Sequence, residues 1–342
     1  MKRAIVVCPG RGSYSRDSLG YLNGVHSPTL EMVDQFRRDL LRPSVSEMDA
    51  STQFRGKWHI AGENASILTA GISMADFDQL SKEYDIVGIT GNSMGFYTAL
   101  ALSKALPLSE SFLLIETMGQ YQENNVVGGQ ILYPLVNDEW QRVPERVAIV
   151  EKLIAAIPDL HWSIKLGGQA VLGGSKAALE EAMKQLPPVE MSGKTFPFQL
   201  PLHSAFHTPL MEITHRKALR DLKDLTFKTP QLPLIDGDGH IWQPKACSAQ
   251  ALMDYTLGKQ VTDFYDFRSS IRSCLRNFAP EVIILLGPGS NLGSAIAQVM
   301  IEEEWNQLSS KSDFLQLQAA SPFILSMARK DQRALVTGKT IA

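Results

Sequence analysis

The chain has 342 residues, enough for two structural units or for one large domain carrying an insertion. Hydrophobic residues make up 44% and charged residues 20%, an ordinary globular balance that excludes long disorder. Lys and Arg number 33 against 36 Asp and Glu, a formal net charge of −3 without long runs of like charge, which excludes a basic nucleic-acid footprint and a polybasic membrane patch.

The apolar run Ala4–Cys8 ends at Pro9-Gly10 and predicts a buried strand followed by a tight turn. It is too short for the core of a signal peptide, and no stretch of the ~18 apolar residues needed for a transmembrane helix occurs anywhere. Pro28–Leu40 and Ala65–Leu80 carry apolar residues at helical spacing. Ahead of both, Ser15-Arg16-Asp17 and Tyr21-Leu22-Asn23-Gly24 read as a surface loop. Asp85–Thr90 is a second short strand that runs directly into Gly91-Asn92-Ser93-Met94-Gly95, after which Phe96–Ala105 reads as an apolar helix. Helix, strand, sharp turn and helix in succession are the rhythm of a parallel α/β sheet.

The texture changes over Tyr121–Leu202. Strands are expected at Gln130–Val136, His161–Leu166, Gln169–Gly173 and Thr195–Leu200, and helices at Pro144–Ala156 and Ser175–Leu186, the latter with a serine cap. The order β-α-β-β-α-β is that of a ferredoxin-like unit, so residues 121–202 are read as an inserted subdomain between core segments 1–120 and 203–342. The α/β pattern then resumes. Leu232–Ile235 is a strand, Asp236-Gly237-Asp238-Gly239 a loop and Phe267–Asn277 a helix. Val282–Leu286 is a strand ending in Gly287-Pro288-Gly289-Ser290, and Leu292–Glu303 is a helix. Ser309–Ala342 is weakly patterned, with a polar end expected to be mobile. The cysteines, Cys8, Cys247 and Cys274, are odd in number and widely spaced. A disulfide framework or structural zinc site is therefore not expected, and a reducing cytoplasm is the expected compartment.

Chemistry concentrates at Gly91-Asn92-Ser93-Met94-Gly95, which fits Gly-x-Ser-x-Gly. Glycines on both sides allow the strained turn that exposes a serine hydroxyl, and the following helix brings free N–H groups and the positive end of its dipole beneath it. The alternative is an ordinary turn with a helix-capping serine. A nucleophilic serine needs a base. Among seven histidines, His203 and His207 share the segment Leu200–Met211 and His240 lies in a Gly-Asp loop. Residue chemistry alone leaves the choice among them open.

Four separated segments resemble the malonyl-CoA:acyl carrier protein transacylase family, which includes the acyltransferase domains of fatty acid and polyketide synthases. They are Cys8-Pro9-Gly10-Arg11-Gly12-Ser13, Gly91–Gly95, Ala205-Phe206-His207-Thr208-Pro209-Leu210-Met211 and Leu286-Gly287-Pro288-Gly289. Their order and spacing fit over about the first 300 residues. The resemblance implies an α/β-hydrolase-like parallel-sheet core with an inserted ferredoxin-like subdomain. It implies Ser93 as nucleophile and His207 as its base, oriented by the main-chain carbonyl of Gln260. It also implies an oxyanion hole from the N–H groups of Met94 and Arg11, the latter standing where the family has glutamine. Acyl-CoA and an acyl carrier protein are the implied substrates and partners, with no metal or organic cofactor and neither nucleic acid nor membrane involved.

Where the chain departs from the family, the departures bear on the acyl group. Malonyl-specific members place an arginine in the helix that here reads Leu114-Ile115-Glu116-Thr117-Met118-Gly119-Gln120, and Met118 occupies its position. A thioether does not neutralise a buried carboxylate, so an uncharged acyl group is expected. Asn64 stands for a family glutamine, Asn92 for the histidine of the serine turn, and Lys165 for an asparagine of the subdomain. With Gly10 these complete the expected substrate contacts. Lys165, on the subdomain wall of the cleft, is a second candidate for the missing charge, and a solvated lysine at a strand end is the alternative. The same Ser-His pair also fits a thioester hydrolase, in which water takes the acyl group.

Overall fold

The computed structural model describes residues 1–122 and 126–338. In chain order its strands are β1 (Lys2–Cys8), β2 (Tyr84–Gly91), β3 (Gly129–Pro134), β4 (Leu160–Leu166), β5 (Gln169–Gly174), β6 (Val189–Met191), β7 (Lys194–Phe196), β8 (Phe198–Gln199), β9 (Leu234–Ile235), β10 (Ile241–Trp242), β11 (Val282–Leu285) and β12 (Ile324–Ser326). They form a six-stranded sheet of order β10-β9-β2-β1-β11-β12, a four-stranded sheet of order β4-β5-β3-β8, and the hairpin β6-β7. Neighbours in the large sheet run parallel except for β9 and β10.

β1 lies at the middle of the large sheet, and Ala4 through Cys8 are completely buried. A parallel strand covered on both faces has to be continuously apolar, which is why this run lacks alternation. The helix Gly62–Phe77 is buried at every residue from Asn64 to Asp76. A helix buried all round belongs to the core rather than to the surface. It packs against Pro28–Asp39 and Leu108–Gln120. Beside it Arg37 is completely buried, with Nη1 2.7 Å from both carboxylate oxygens of Glu116.

The four-stranded sheet is antiparallel throughout. Its residues alternate faces, as a period of two requires. Ile131, Tyr133, Ala170 and Leu172 bury against the helices Pro144–Ala156 and Lys176–Gln185. Leu132 and Val171 line a cleft toward the large sheet. Tyr265 joins the two sheets, receiving the N–H of Lys165 at 2.9 Å and donating its own to the carbonyl of Ser163 at 2.8 Å.

Three expectations are corrected. The single strand expected over Thr195–Leu200 is two: Lys194–Phe196 pairs with Val189–Met191, and Phe198–Gln199 pairs with β3. Pro197 separates them, having no N–H to give a ladder. The segment read as a surface loop is exposed at Ser15, Arg16, Asp17, Asn23 and Gly24, and the correction is confined to Tyr21 and Leu22, which anchor it. Tyr14 is buried and donates to Asp49 at 2.9 Å, Leu22 is buried, and the Tyr21 hydroxyl donates to Asp76 at 2.6 Å. The weakly patterned C-terminal stretch supplies the helix Lys311–Ala320, the edge strand β12 and the helix Lys330–Thr337. Its expected mobile end falls on residues 339–342, outside the described residues. Cys8, Cys247 and Cys274 are free thiols.

Candidate active site

β2 ends at Gly91, and the chain enters the helix Gly95–Leu102 within three residues. Ser93, at the apex, has φ +55°, in the left-handed region that side-chain-bearing residues rarely occupy. The flanking glycines are required by contact rather than by flexibility. A Cβ on Gly91 would stand 2.1 Å from the carbonyl carbon of Gly95, and one on Gly95 would stand 2.2 Å from the carbonyl oxygen of Cys8. The turn is pressed onto the end of β1.

His207 comes from the segment after β8 and also has a positive φ, +61°. Its N–H donates to the carbonyl of Val261 at 2.9 Å, which fixes the backbone. The Ser93 Oγ lies 2.7 Å from Nε2, and Nδ1 lies 2.6 Å from the carbonyl oxygen of Gln260. A carbonyl only accepts, so Nδ1 carries the hydrogen, and the Nε2 lone pair faces the serine hydroxyl. Burial pushes the imidazole pKa down to about 4, against the opposing pull of the Gln260 carbonyl. The resting ring is therefore a neutral base.

Gln260 follows a π-helical turn, Tyr255–Lys259, that carries its carbonyl toward the histidine. Its side chain donates to the carbonyl of Ser93 at 3.1 Å and accepts from the Tyr97 hydroxyl at 2.6 Å. One residue thus positions both the serine turn and the imidazole. The main-chain N–H groups of Arg11 and Met94 have no acceptor among the described residues. Both residues line the same cavity as Ser93, so these N–H groups are candidate donors to a developing oxyanion.

These groups open onto a cavity of about 460 Å³. Gly10, Arg11, Asn92, Ser93, Met94, Met118, His207 and Gln260 all line it. The apolar wall opposite comes from Leu132, Val171, Phe198, Leu200 and Phe206. A Cβ on Gly10 would stand 3.0 Å from the carbonyl oxygen of Asn92, so a side chain here would crowd the serine turn.

Two expected contacts are elsewhere, and both are corrections. Asn64 is buried beneath the site, accepting from Arg37 at 2.6 Å and donating to the carbonyl of Trp58 at 3.1 Å, so its amide is spent inside the core. Lys165 lines a separate cavity of about 280 Å³ between the four-stranded sheet and the helix Leu292–Glu302. Its ammonium lies 4.8 Å from the Phe264 ring centre and 5.4 Å from that of Trp162, held by cation–π attraction. Of the other histidines, His203 lines the main cavity but bonds through Nδ1 to the carbonyl of Pro201, at 2.8 Å. Burial, then the nearby Arg11 charge, pushes its pKa down to about 3. His240 packs edge-on against Trp242, away from the cavity.

Tyr97, Gln122 and Gln130 also face the cavity and were not legible as site residues. Gln122 lies in the turn that follows the helix carrying Met118. Among the described residues no helix is long and apolar enough to cross a membrane.

The sequence matches no protein-family model and no curated protein. Solved structures do match the fold. The malonyl-CoA:ACP transacylase of Synechocystis sp. PCC 6803 superposes with a TM-score of 0.75 at 15% identity, covering 97% of this chain and 99% of that one. The malonyl CoA-acyl carrier protein transacylase of Coxiella burnetii gives 0.75 at 17% identity, covering 99% and 98%. A malonyl-transacylase complexed with its type II polyketide synthase acyl-carrier protein gives 0.74 at 17%, covering 99% and 100%. The chain has, over nearly its whole length, the fold of the malonyl-CoA:acyl carrier protein transacylases.

Proposed function

We propose that this chain is an acyltransferase of that family, carrying an acyl group from CoA to the phosphopantetheine thiol of an acyl carrier protein through an ester on Ser93. The observation that carries the reading is the chain of contacts from Ser93 Oγ to His207 Nε2 and from His207 Nδ1 to the Gln260 carbonyl, at 2.7 and 2.6 Å. His207 takes the serine proton as Oγ attacks the thioester carbonyl. The oxyanion forms at the Arg11 and Met94 N–H groups, the C–S bond breaks, and the imidazolium returns its proton to the leaving thiolate. In the second half His207 deprotonates the carrier thiol, which attacks the ester. The C–O bond then breaks and Ser93 recovers its proton. No metal or organic cofactor enters the cycle.

In this reading residues 1–120 and 203–342 are the hydrolase-like core and 121–202 the ferredoxin-like subdomain. The antiparallel order β4-β5-β3-β8 with two helices on one face supports that division. A carrier partner is supported by the fold neighbour solved with its acyl-carrier protein. Met118 in the cavity wall supports an acyl group other than malonyl. Hydrolysis of the same ester is the second reading, which Met118 favours insofar as it departs from the malonyl pattern.

The test is intact-protein mass spectrometry after mixing with a panel of acyl-CoA thioesters, with and without a holo carrier protein. A Ser93 adduct that moves to the carrier supports transfer. An adduct lost at the same rate with and without the carrier supports hydrolysis, and no adduct with any thioester overturns both.

A further inference from the structure

The loss of arginine at 118 does not leave the cavity without a cation. Arg11 lines it and is only 8% exposed. Its guanidinium makes no ion pair within 4.0 Å among the described residues. Its recorded partners, the Gln122 side-chain oxygen and the Leu202 carbonyl, are both neutral. Five N–H donors exceed those two bonds. Burial brings the Arg11 pKa down to about 10, partly countered by Glu63, so the group is still charged at neutral pH.

Its place is equally telling. A Cβ on Gly62 would stand 3.2 Å from Arg11 Nη1 and 2.8 Å from the carbonyl oxygen of Gly119, the residue after Met118. Gln122, which Nη1 contacts, lies in the turn just past the helix that carries Met118. The guanidinium therefore stands against the helical segment that lacks an arginine of its own. A buried cation without a counter-ion is costly, and a carboxylate entering the same cavity offsets that cost.

We propose that the Arg11 side chain binds a carboxylate carried by the acyl group, delivering from the turn after β1 the charge that the helix Leu108–Gln120 lacks at Met118. The substrate class is then a carboxylated acyl thioester. This rests on the acyltransferase reading and sharpens it: the acyl group keeps a charge, met by Arg11 where Met118 supplies none.

The test compares methylmalonyl-CoA with isobutyryl-CoA, which differ by a carboxylate in place of a methyl group. Ser93 acylation rates give kcat/KM for each, and their ratio cancels what the Arg11 main chain contributes to both. The wild type is expected to prefer methylmalonyl-CoA by about tenfold to a hundredfold, the worth of a charge-assisted contact. Arg11→Gln should abolish that preference, mainly through a raised KM for methylmalonyl-CoA, and Arg11→Lys should retain part of it. Adding Met118→Arg to Arg11→Gln should restore it. A wild type that prefers isobutyryl-CoA overturns the proposal without any variant, as does an unchanged ratio in Arg11→Gln. Acylation by isobutyryl-CoA alone, or by uncharged thioesters of the panel and by neither of these, sinks this inference and leaves the acyltransferase reading standing, whereas no adduct with any thioester sinks both.

Discussion

At the Ser93 end of the cleft, main-chain atoms hold nearly everything that would react: the serine turn is wedged onto β1, the imidazole hangs on the Gln260 carbonyl, and two N–H groups face the serine. At the Met118 end, side chains from distant segments meet: Arg11 from the first turn, Met118 from the helix Leu108–Gln120, Gln122 from the turn after it, and Leu132, Val171 and Phe198 from the inserted sheet. Main-chain groups are the same whatever the sequence, so the chemistry end constrains residue type at few positions and does so visibly. The far end is built from side chains, so a single substitution such as that at Met118 changes what it can hold.

The comparison is broken most decisively at the serine. Ser93→Ala should lower acyl-enzyme formation by about a thousandfold or more while leaving the fold intact, measured by mass spectrometry alongside circular dichroism. Normal labelling in that variant would move the nucleophile elsewhere. The next largest effect belongs to the far end's foundation. Arg37→Met strands Glu116 in the core beneath the helix that carries Met118, and should cost about 3–5 kcal/mol in denaturant unfolding. A cost below about 1 kcal/mol would mean that Arg42, 3.4 Å from Glu116, suffices as its partner.

The pH profile sharpens the picture of the neutral base. Because burial lowers the His207 pKa to about 4 from an ordinary 6.5, the base form persists as pH falls through 6 and 5. The acylation rate should therefore hold steady down to about pH 5 and drop only below about 4. A limb near 6.5 would show an imidazole open to water. The smallest effect is expected at Tyr97→Phe, which removes the hydroxyl bonded to the Gln260 side chain. Losing about 1 kcal/mol of positioning would slow acylation severalfold. No change would mean that the carbonyl of Gln260 holds the histidine without help from its side chain.

What the sequence made legible follows the same division. Gly91, Ser93, Gly95, His207 and Gln260 sit in motifs whose spacing is local, and all converge in space. The strands β1, β2 and β11 were readable as buried apolar runs. β9 was readable within Leu232–Ile235, whereas β10 has two residues, too few for any periodicity, and the β6-β7 hairpin is marked only by Ser192-Gly193, both at positive φ. The misplacements of Asn64 and Lys165 are failures of distance rather than of chemistry. Asn64 lies in the first turn of a core helix with its amide held by Arg37 and the Trp58 carbonyl, and the Lys165 ammonium sits near two aromatic rings that sequence does not bring together. Arg11 was legible as a main-chain donor, but nothing in its neighbours along the chain foretold where its guanidinium would lie.

The carbonyl that orients His207 has one further consequence. A carboxylate in that role can be lost in a single nucleotide change, whereas a peptide carbonyl is rewritten by no codon. The contact that holds Nδ1 of His207 therefore survives a change of side chain at position 260 that keeps the backbone path.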